Sequence, residues 1–337
     1  MSRLLVNQSY RGQRVTGQQR YAAEIARRLA ASTPCVAVAP EGFWAASTLR
    51  VWAWVQFVLP LLARRALLLS MTSRAPLWRR RHVLVVHDLF VLTNPEWFSR
   101  RYVWTHAPLL RAQIRSAAVV VAVSQPVADQ VARLRSGPVL VAPNGPSEVF
   151  RRAGDGPDRD ALEARGLTPG SYFLAVGSRD PRKNLARLVE AYGRLHADVR
   201  RRHPLVVVGG GAGIFRNEEL ALPDHAIDAG YVTDDELRQL YRGALSVVFV
   251  SLAEGFGLPI VEAVAAGARS LLLSDIEVFR WICGEHARYV DPSSTADIHA
   301  GLRAQIDDPK QQELNLDRFD WDASASVIGD ACARAAG

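Results

Sequence analysis

Residues 246–273 read SVVFVSLAEGFGLPIVEAVAAGARSLLL, and this stretch decides the fold. Residues 246–250 form a buried strand. Gly255 and Gly257 then allow a tight turn, Pro259 suits the first turn of a helix, and Gly267 closes that helix. A second apolar run follows at once, at 270–273. Strand, helix and strand in this order make a βαβ unit, which belongs to a parallel sheet covered by helices on both faces.

Working outward from this unit, the same alternation recurs. Short apolar runs at 4–7, 36–39, 67–70, 83–87, 119–124 and 139–143 read as strands of a front set, with helical stretches such as 18–31 and 126–134 between them. A rear set comprises 172–177, 205–209, 247–250 and 270–273. The predicted class is therefore α/β, with two doubly wound Rossmann-like domains facing a central cleft at the carboxyl ends of their strands. Residues 1–150 form the front domain and residues 166–316 the rear one. Residues 151–165, with no apolar run before Leu162, read as an interdomain linker. Residues 317–337 read as a closing helix that packs back towards the front domain.

Composition bounds the chemistry. The 337 residues are 49% hydrophobic and 22% charged, which suits a folded chain and excludes long disorder. Three widely spaced cysteines, Cys35, Cys283 and Cys332, form neither a disulfide framework nor a zinc motif, so a cytoplasmic location is expected. The opening MSRLLVNQS does not read as a signal peptide. Charge is divided unevenly: residues 1–150 hold 19 arginines against six acidic side chains, and residues 151–337 hold 22 basic against 28 acidic. A basic front half faces nucleic acid, an anionic membrane or an acidic substrate. No apolar run reaches the roughly 18 residues of a membrane span; 51–63 comes nearest and is interrupted by Gln56 and Pro60. Six of the eight tryptophans fall between residues 44 and 104 beside paired arginines. They read either as a membrane-surface patch or, the preferred reading, as a tryptophan-rich core with solvated arginines.

Two segments carry chemistry. In GSRDPRKNLARLVEAYGRLH (177–196) a strand ends at Gly177, Asp180 caps a helix and Pro181 enters its first turn. Arg182 and Lys183 then stand at a helix N-terminus, where unpaired N–H groups and the dipole favour an anion. With Arg179 beside them they make a diphosphate site; the plainer reading is a solvated basic turn. Lys183 is one of only two lysines in the chain, which favours the diphosphate. In the second segment Glu254 lies at the carboxyl end of a strand and Glu262 in the helix that follows. Carboxylates repel phosphate but accept hydrogen bonds from sugar hydroxyls. Two such acceptors next to a cationic diphosphate site point to a nucleotide sugar.

EGFGLPIVE (254–262), preceded some seventy residues earlier by PRKN (181–184), resembles glycosyltransferase family 4, the retaining, nucleotide-sugar-dependent enzymes of GT-B fold. VVHDLFVLTNPEWFS (85–99), VAVSQPVADQV (121–131), VAPNGPSEVF (141–150), AGYVTDDELRQLYRGA (229–244) and DRFDWDASA (317–325) extend the resemblance over most of the chain. It implies that Lys183, with a nearby arginine, binds the donor diphosphate and stabilises the departing charge. It implies further that Glu262 binds the ribose and that Glu254, with Gly255, Phe256, Gly257 and Leu258, holds the donor sugar. Tyr231 and Val232 would line the base pocket, and Gly17 would lie under the diphosphate. His87 would face donor sugar and acceptor, with Asp88 its neighbour. Many members carry arginine where this chain has Ser178, so Arg179 or Arg182 must take that place. Two glycines, Gly12 and Gly17, stand where the family has a denser glycine-rich opening.

The implied chemistry is front-face retaining transfer of a hexosyl group to a saccharide, lipid-linked or natural-product acceptor, with no protein nucleophile. Mannose from GDP-mannose is favoured because PRKN-type members are often mannosyltransferases; UDP- and dTDP-sugars stay open. No GxSxG, HExxH or GxxxxGK[ST] competes. GGGAG (209–213) reads as a strand-to-loop turn. The Asp-x-Asp pairs 158–160 and 320–322 follow no buried strand, so neither is expected to hold a metal and no cofactor beyond the nucleotide sugar is expected. A GT-B epimerase or hydrolase is the alternative enzyme. A nucleic-acid-binding protein would need an arginine stripe in a recognised module, and the arginines are instead scattered. The basic front half fits an anionic, lipid-linked acceptor and a peripheral place on the inner face of the cell membrane.

Overall fold

The computed structural model describes residues 4–12, 17–152, 156–210 and 221–336. The chain divides into two compact units, Met1–Asn144 with Arg318–Gly337, and Gly145–Asp317.

The first unit holds a six-stranded sheet of β1 (Leu4–Asn7), β2 (Cys35–Val38), β3 (Leu67–Ser70), β4 (His82–Val86), β5 (Val119–Ala122) and β6 (Val139–Val141). Their order is β2-β1-β3-β4-β5-β6 and every pairing is parallel. The four central strands are buried along their whole length, because helices cover both faces and leave no solvent side for a polar residue. Helix Trp321–Ala336 returns to this unit: Ser324 donates to the Pro143 carbonyl at 2.7 Å, and Asp322 pairs with Arg28 at 2.6 Å.

The second unit repeats the plan with β7 (Phe173–Val176), β8 (Leu205–Val208), β9 (Ala226–Gly230), β10 (Ser246–Phe249), β11 (Leu271–Ser274) and β12 (Arg288–Val290), in the order β12-β11-β10-β7-β8-β9. The decisive stretch is β10, helix Leu258–Ala266 and β11, paired in parallel from Val247 opposite Leu271. Two strands escape the sequence pattern, β9 (AIDAG) and β12 (RYV). Both lie at sheet edges, with one neighbour each, and so lack the fully apolar signature of inner strands.

The linker expected at 151–165 is not a linker. Residues from Gly145 onwards belong to the second unit. Helix Glu148–Arg151 buries Phe150 edge-on to Tyr241, with ring centroids 6.0 Å apart. Helix Arg159–Glu163 buries Leu162, the single apolar anchor in a polar run. A one-residue anchor produces no periodicity, which is why the stretch reads as a connection.

The preferred reading of the tryptophans as core is also corrected. Only Trp54 of the six between 44 and 104 is buried, while Trp52, Trp78 and Trp104 are exposed. Among the described residues no helix is long and apolar enough to cross a membrane.

Candidate active site

The carboxyl ends of β7 and β10 bring the two chemical segments of the second unit together. After β7, Asp180 is buried, and its side chain accepts from the Arg182 amide at 3.0 Å, capping a short 3-10 turn, Pro181–Lys183. Asn184 then takes the left-handed conformation, φ 58°, and the α-helix begins only at Leu185. The expectation that Arg182 and Lys183 sit at a helix N-terminus is thus corrected: they occupy a separate turn ahead of it. Asn184 is the reason. Its Nδ2 donates to the Val250 carbonyl at 3.0 Å and to the Pro292 carbonyl at 2.7 Å, and the Leu252 amide donates to the Arg182 carbonyl at 2.8 Å. These bonds stitch the PRKN turn to the exits of β10 and β12.

The stitching delivers Lys183 to Glu254. Lys183 Nζ lies 2.6 Å from Glu254 Oε1, and Ser251 Oγ donates to the same oxygen at 2.8 Å. Oε1 thus carries two donors. Gly177 lies under the lysine stem: a Cβ there would meet Lys183 Cγ at 3.4 Å. Gly209 (φ 144°) crosses even closer, since its Cβ would sit 1.9 Å from the Gly177 carbonyl oxygen. Only glycine fits there. The remainder of GGGAG, residues 211–213, lies outside the described residues.

The EGFG loop is held by Phe256, which is buried edge-on to Trp281 with centroids 6.2 Å apart. Gly257 (φ 108°) turns the chain into helix Leu258–Ala266, and a Cβ there would press Phe279 at 3.1 Å and Ile282 at 3.2 Å. Glu262, on the second turn of this helix, is only 6% exposed, an unusual depth for a carboxylate. Beyond β9, Val232 is buried and Tyr231 is 81% exposed.

The two arginines proposed for the Ser178 position each pair with an aspartate. Arg179 pairs with Asp228 on β9. Arg182 forks onto Asp180, with Nε at 2.8 Å from Oδ2. Ser251, Asn184 and Asp228 are site neighbours that sequence reasoning missed. Only Asn184 left a signal there, as the N of PRKN.

Three predicted residues lie in the first unit. His87 follows β4, is half-buried, and contacts the Met71 carbonyl through Nε2 at 2.9 Å. Burial pushes its pKa down to about 4, with the carbonyl opposing the shift. The imidazole is therefore neutral at pH 7. A carbonyl only accepts, so Nε2 carries the proton and Nδ1 is the accepting nitrogen. The ring of Tyr21 meets that of His87 edge-on at 5.1 Å, and Tyr21 is anchored by its hydroxyl on the Ala142 carbonyl at 3.0 Å. Asp88 accepts from the Phe90 amide at 3.3 Å. Gly17 opens helix Gly17–Ser32 and has no atom within 4 Å of a would-be Cβ.

Both Asp-x-Asp pairs serve helix starts. Asp158 accepts from the Ala161 amide at 3.1 Å, and Asp320 accepts from the Asp322 and Ala323 amides, each at 2.9 Å.

Asn184→Ala is expected to cost about 2–3 kcal/mol, since it removes one buried and two part-buried side-chain hydrogen bonds and leaves an alanine in the left-handed region. Urea denaturation of the second unit checks this.

Residues 161–316 match the family described as glycosyl transferases group 1. The O-antigen chain mannosyltransferase B of Escherichia coli is 26% identical over 271 residues, covering 72% of this chain and 67% of that protein. The serotype-specific mannosyltransferase WbdA of Escherichia coli is 30% identical over 280 residues, which cover 73% of this chain and 32% of that protein. The chain thus spans about a third of the WbdA length. Among solved structures, sucrose-phosphate synthase from Thermosynechococcus elongatus superposes with a TM-score of 0.75 at 16% identity, covering 98% of each chain. WaaG, a glycosyltransferase involved in lipopolysaccharide biosynthesis, gives 0.70 at 16% identity, again over 98% of each. With two parallel six-stranded units and these relatives, the chain is a glycosyltransferase of GT-B fold whose residues 161–316 match the glycosyl transferases group 1 family.

Proposed function

We propose that the protein transfers a mannosyl group, with retention, from GDP-mannose to a saccharide or lipid-linked acceptor at the inner face of the cell membrane. The observation that carries this reading is the convergence of Lys183 Nζ and Ser251 Oγ on one oxygen of Glu254, with Glu262 buried on the helix that follows. The cation serves the diphosphate; the second carboxylate oxygen of Glu254 serves a sugar hydroxyl, and Glu262 the ribose. A bound diphosphate competes with Glu254 for Lys183, so donor binding exchanges an internal ion pair for two ligand contacts. Arg179 and Arg182 are each oriented by a carboxylate and flank the same turn.

In the proposed reaction the acceptor hydroxyl oxygen bonds to C1 of the sugar on the face from which the diphosphate departs. The C1–O bond to phosphate breaks, and the hydroxyl proton passes to the departing phosphate oxygen. His87 supports this assignment of the proton. With a pKa near 4 it is a poor base at pH 7, and its Nδ1 is the accepting nitrogen of the ring. No cofactor or metal is required in this scheme. Mannose is preferred over other hexoses because the O-antigen enzymes it resembles are mannosyltransferases.

A nucleotide panel tests the donor. At about a hundred times Kd a ligand adds about 2.7 kcal/mol of stability, so GDP-mannose is expected to raise the unfolding temperature by several degrees and UDP- and dTDP-sugars by less. Glu262→Ala is expected to remove the shift. A shift given by UDP-glucose alone reassigns the donor, and one unchanged in Glu262→Ala displaces the site.

A further inference from the structure

Residues 42–66, GFWAASTLRVWAWVQFVLPLLARRA, contain no acidic side chain and form a 3-10 turn, Gly42–Ala46, followed by a continuous helical stretch from Thr48 to Leu62. Ser47 caps it, accepting from the Arg50 amide at 3.3 Å. One face is spent on the core: Val51, Trp54, Val55, Leu59 and Ala63 are buried, most of them against Leu5, Ala66 and Leu68. The opposite face should then be polar. Instead it carries Leu49, Trp52, Phe57, Leu61 and Leu62, with Phe43 on the turn before it, all exposed and Leu49 to 75%. An apolar outer face of this kind marks an interaction surface.

Charge says what covers it. Residues 42–81 hold seven arginines and no aspartate or glutamate. Arg50 stands 4.0 Å over the Phe43 ring, and Arg64 and Arg65 are exposed at the end of the helical stretch. A neighbouring strip is tied to the same element. Gln56 donates to the Ala75 carbonyl at 3.0 Å and accepts from the Leu77 amide at 3.0 Å, and Arg79 donates to the Ala66 carbonyl at 2.7 Å. That strip presents Trp78, 81% exposed, and Arg80. A second copy of the chain would set arginine against arginine. The helical stretch, about 22 Å long at 1.5 Å per residue, is too short to cross a bilayer and suits lying along one.

We propose that this face docks into the interfacial region of an anionic lipid bilayer. Phe43, Leu49, Phe57, Leu61 and Leu62 reach the acyl boundary, Trp52 and Trp78 sit among the headgroups, and Arg50, Arg64, Arg65 and Arg80 meet lipid phosphates. The proposal gives a surface to the membrane contact proposed above and rests on that reading.

Vesicle co-sedimentation of the full chain tests it, with neither donor nor acceptor present. The chain is expected to bind phosphatidylcholine–phosphatidylglycerol vesicles, more weakly as salt rises, and to bind pure phosphatidylcholine vesicles far less. Phe57→Ser with Leu61→Ser, and separately Arg64→Glu with Arg65→Glu, are each expected to weaken binding about tenfold or more without changing thermal unfolding, because all four side chains are exposed. Vesicle binding unchanged in both double variants overturns the proposal. So does a variant that leaves vesicle binding intact and instead alters self-association in lipid-free sedimentation velocity. Since no transfer is measured, a failed docking result leaves the glycosyltransferase reading standing, and a failed transfer assay leaves docking standing.

Discussion

Replacing Lys183 by methionine is expected to lower kcat with GDP-mannose by about 10²–10³, the effect of removing one preorganised charge from a developing anion. The methionine keeps the stem that lies over Gly177 and deletes only the ammonium. Charge on the departing diphosphate grows as the C1–O bond breaks, so the interaction strengthens towards the transition state and the loss falls on kcat rather than on KM alone. Folding should survive. Glu254 keeps its bond from Ser251, and the PRKN turn keeps its bonds to Val250, Leu252 and Pro292. Steady-state kinetics at saturating donor, with thermal unfolding alongside, decide the matter. A kcat within a few-fold of the parent at unchanged stability removes Lys183 from the chemistry.

The second large effect is on stability and comes from His82. It opens β4, is fully buried, and neither ring nitrogen has a hydrogen-bond partner among the described residues. Burial pushes its pKa from 6.5 down to about 3, helped by repulsion from Arg79. Between these values the unfolded chain binds a proton that the folded chain refuses. The stability that depends on a neutral His82 is present above pH 6.5 and is lost as the pH falls towards 3. From pH 7 to pH 5 the loss is about 2 kcal/mol at 1.36 kcal/mol per unit of pKa. Urea denaturation of the parent and of His82→Leu at the two pH values tests this. Tryptophan fluorescence is a suitable probe, since seven of the eight tryptophans lie in the first unit and only Trp281 in the second. The variant should lose about 2 kcal/mol less than the parent; equal losses would exclude His82 as the titrating group.

The site was partly legible before its geometry. Lys183 and Glu254 stand out separately in the sequence, one as a scarce lysine in a basic turn and the other as a carboxylate at a strand end, and the fold places them 2.6 Å apart. The helix expected to begin at Pro181 begins at Leu185 instead. Nothing local forces that break. Asn184 tolerates the left-handed region, and it adopts it because its side chain finds Val250 and Pro292, 66 and 108 residues away. Asp228 gains its relevance through Arg179, 49 residues away along the chain, and Ser251 through the carboxylate of Glu254.

The sequence by itself determined the parallel α/β plan of each unit, because a strand buried on both faces must be apolar throughout and a βα turn must carry glycine or proline where the backbone demands it. Such requirements are local and can be read along the chain. The tertiary structure alone decided three further matters. Phe150 and Leu162 anchor what reads as a linker, burial holds His87 neutral, and the Thr48–Leu62 stretch turns a second apolar face to solvent after its first has filled the core. Each depends on which surfaces meet, and burial, charge state and exposure are properties of that meeting rather than of any one segment.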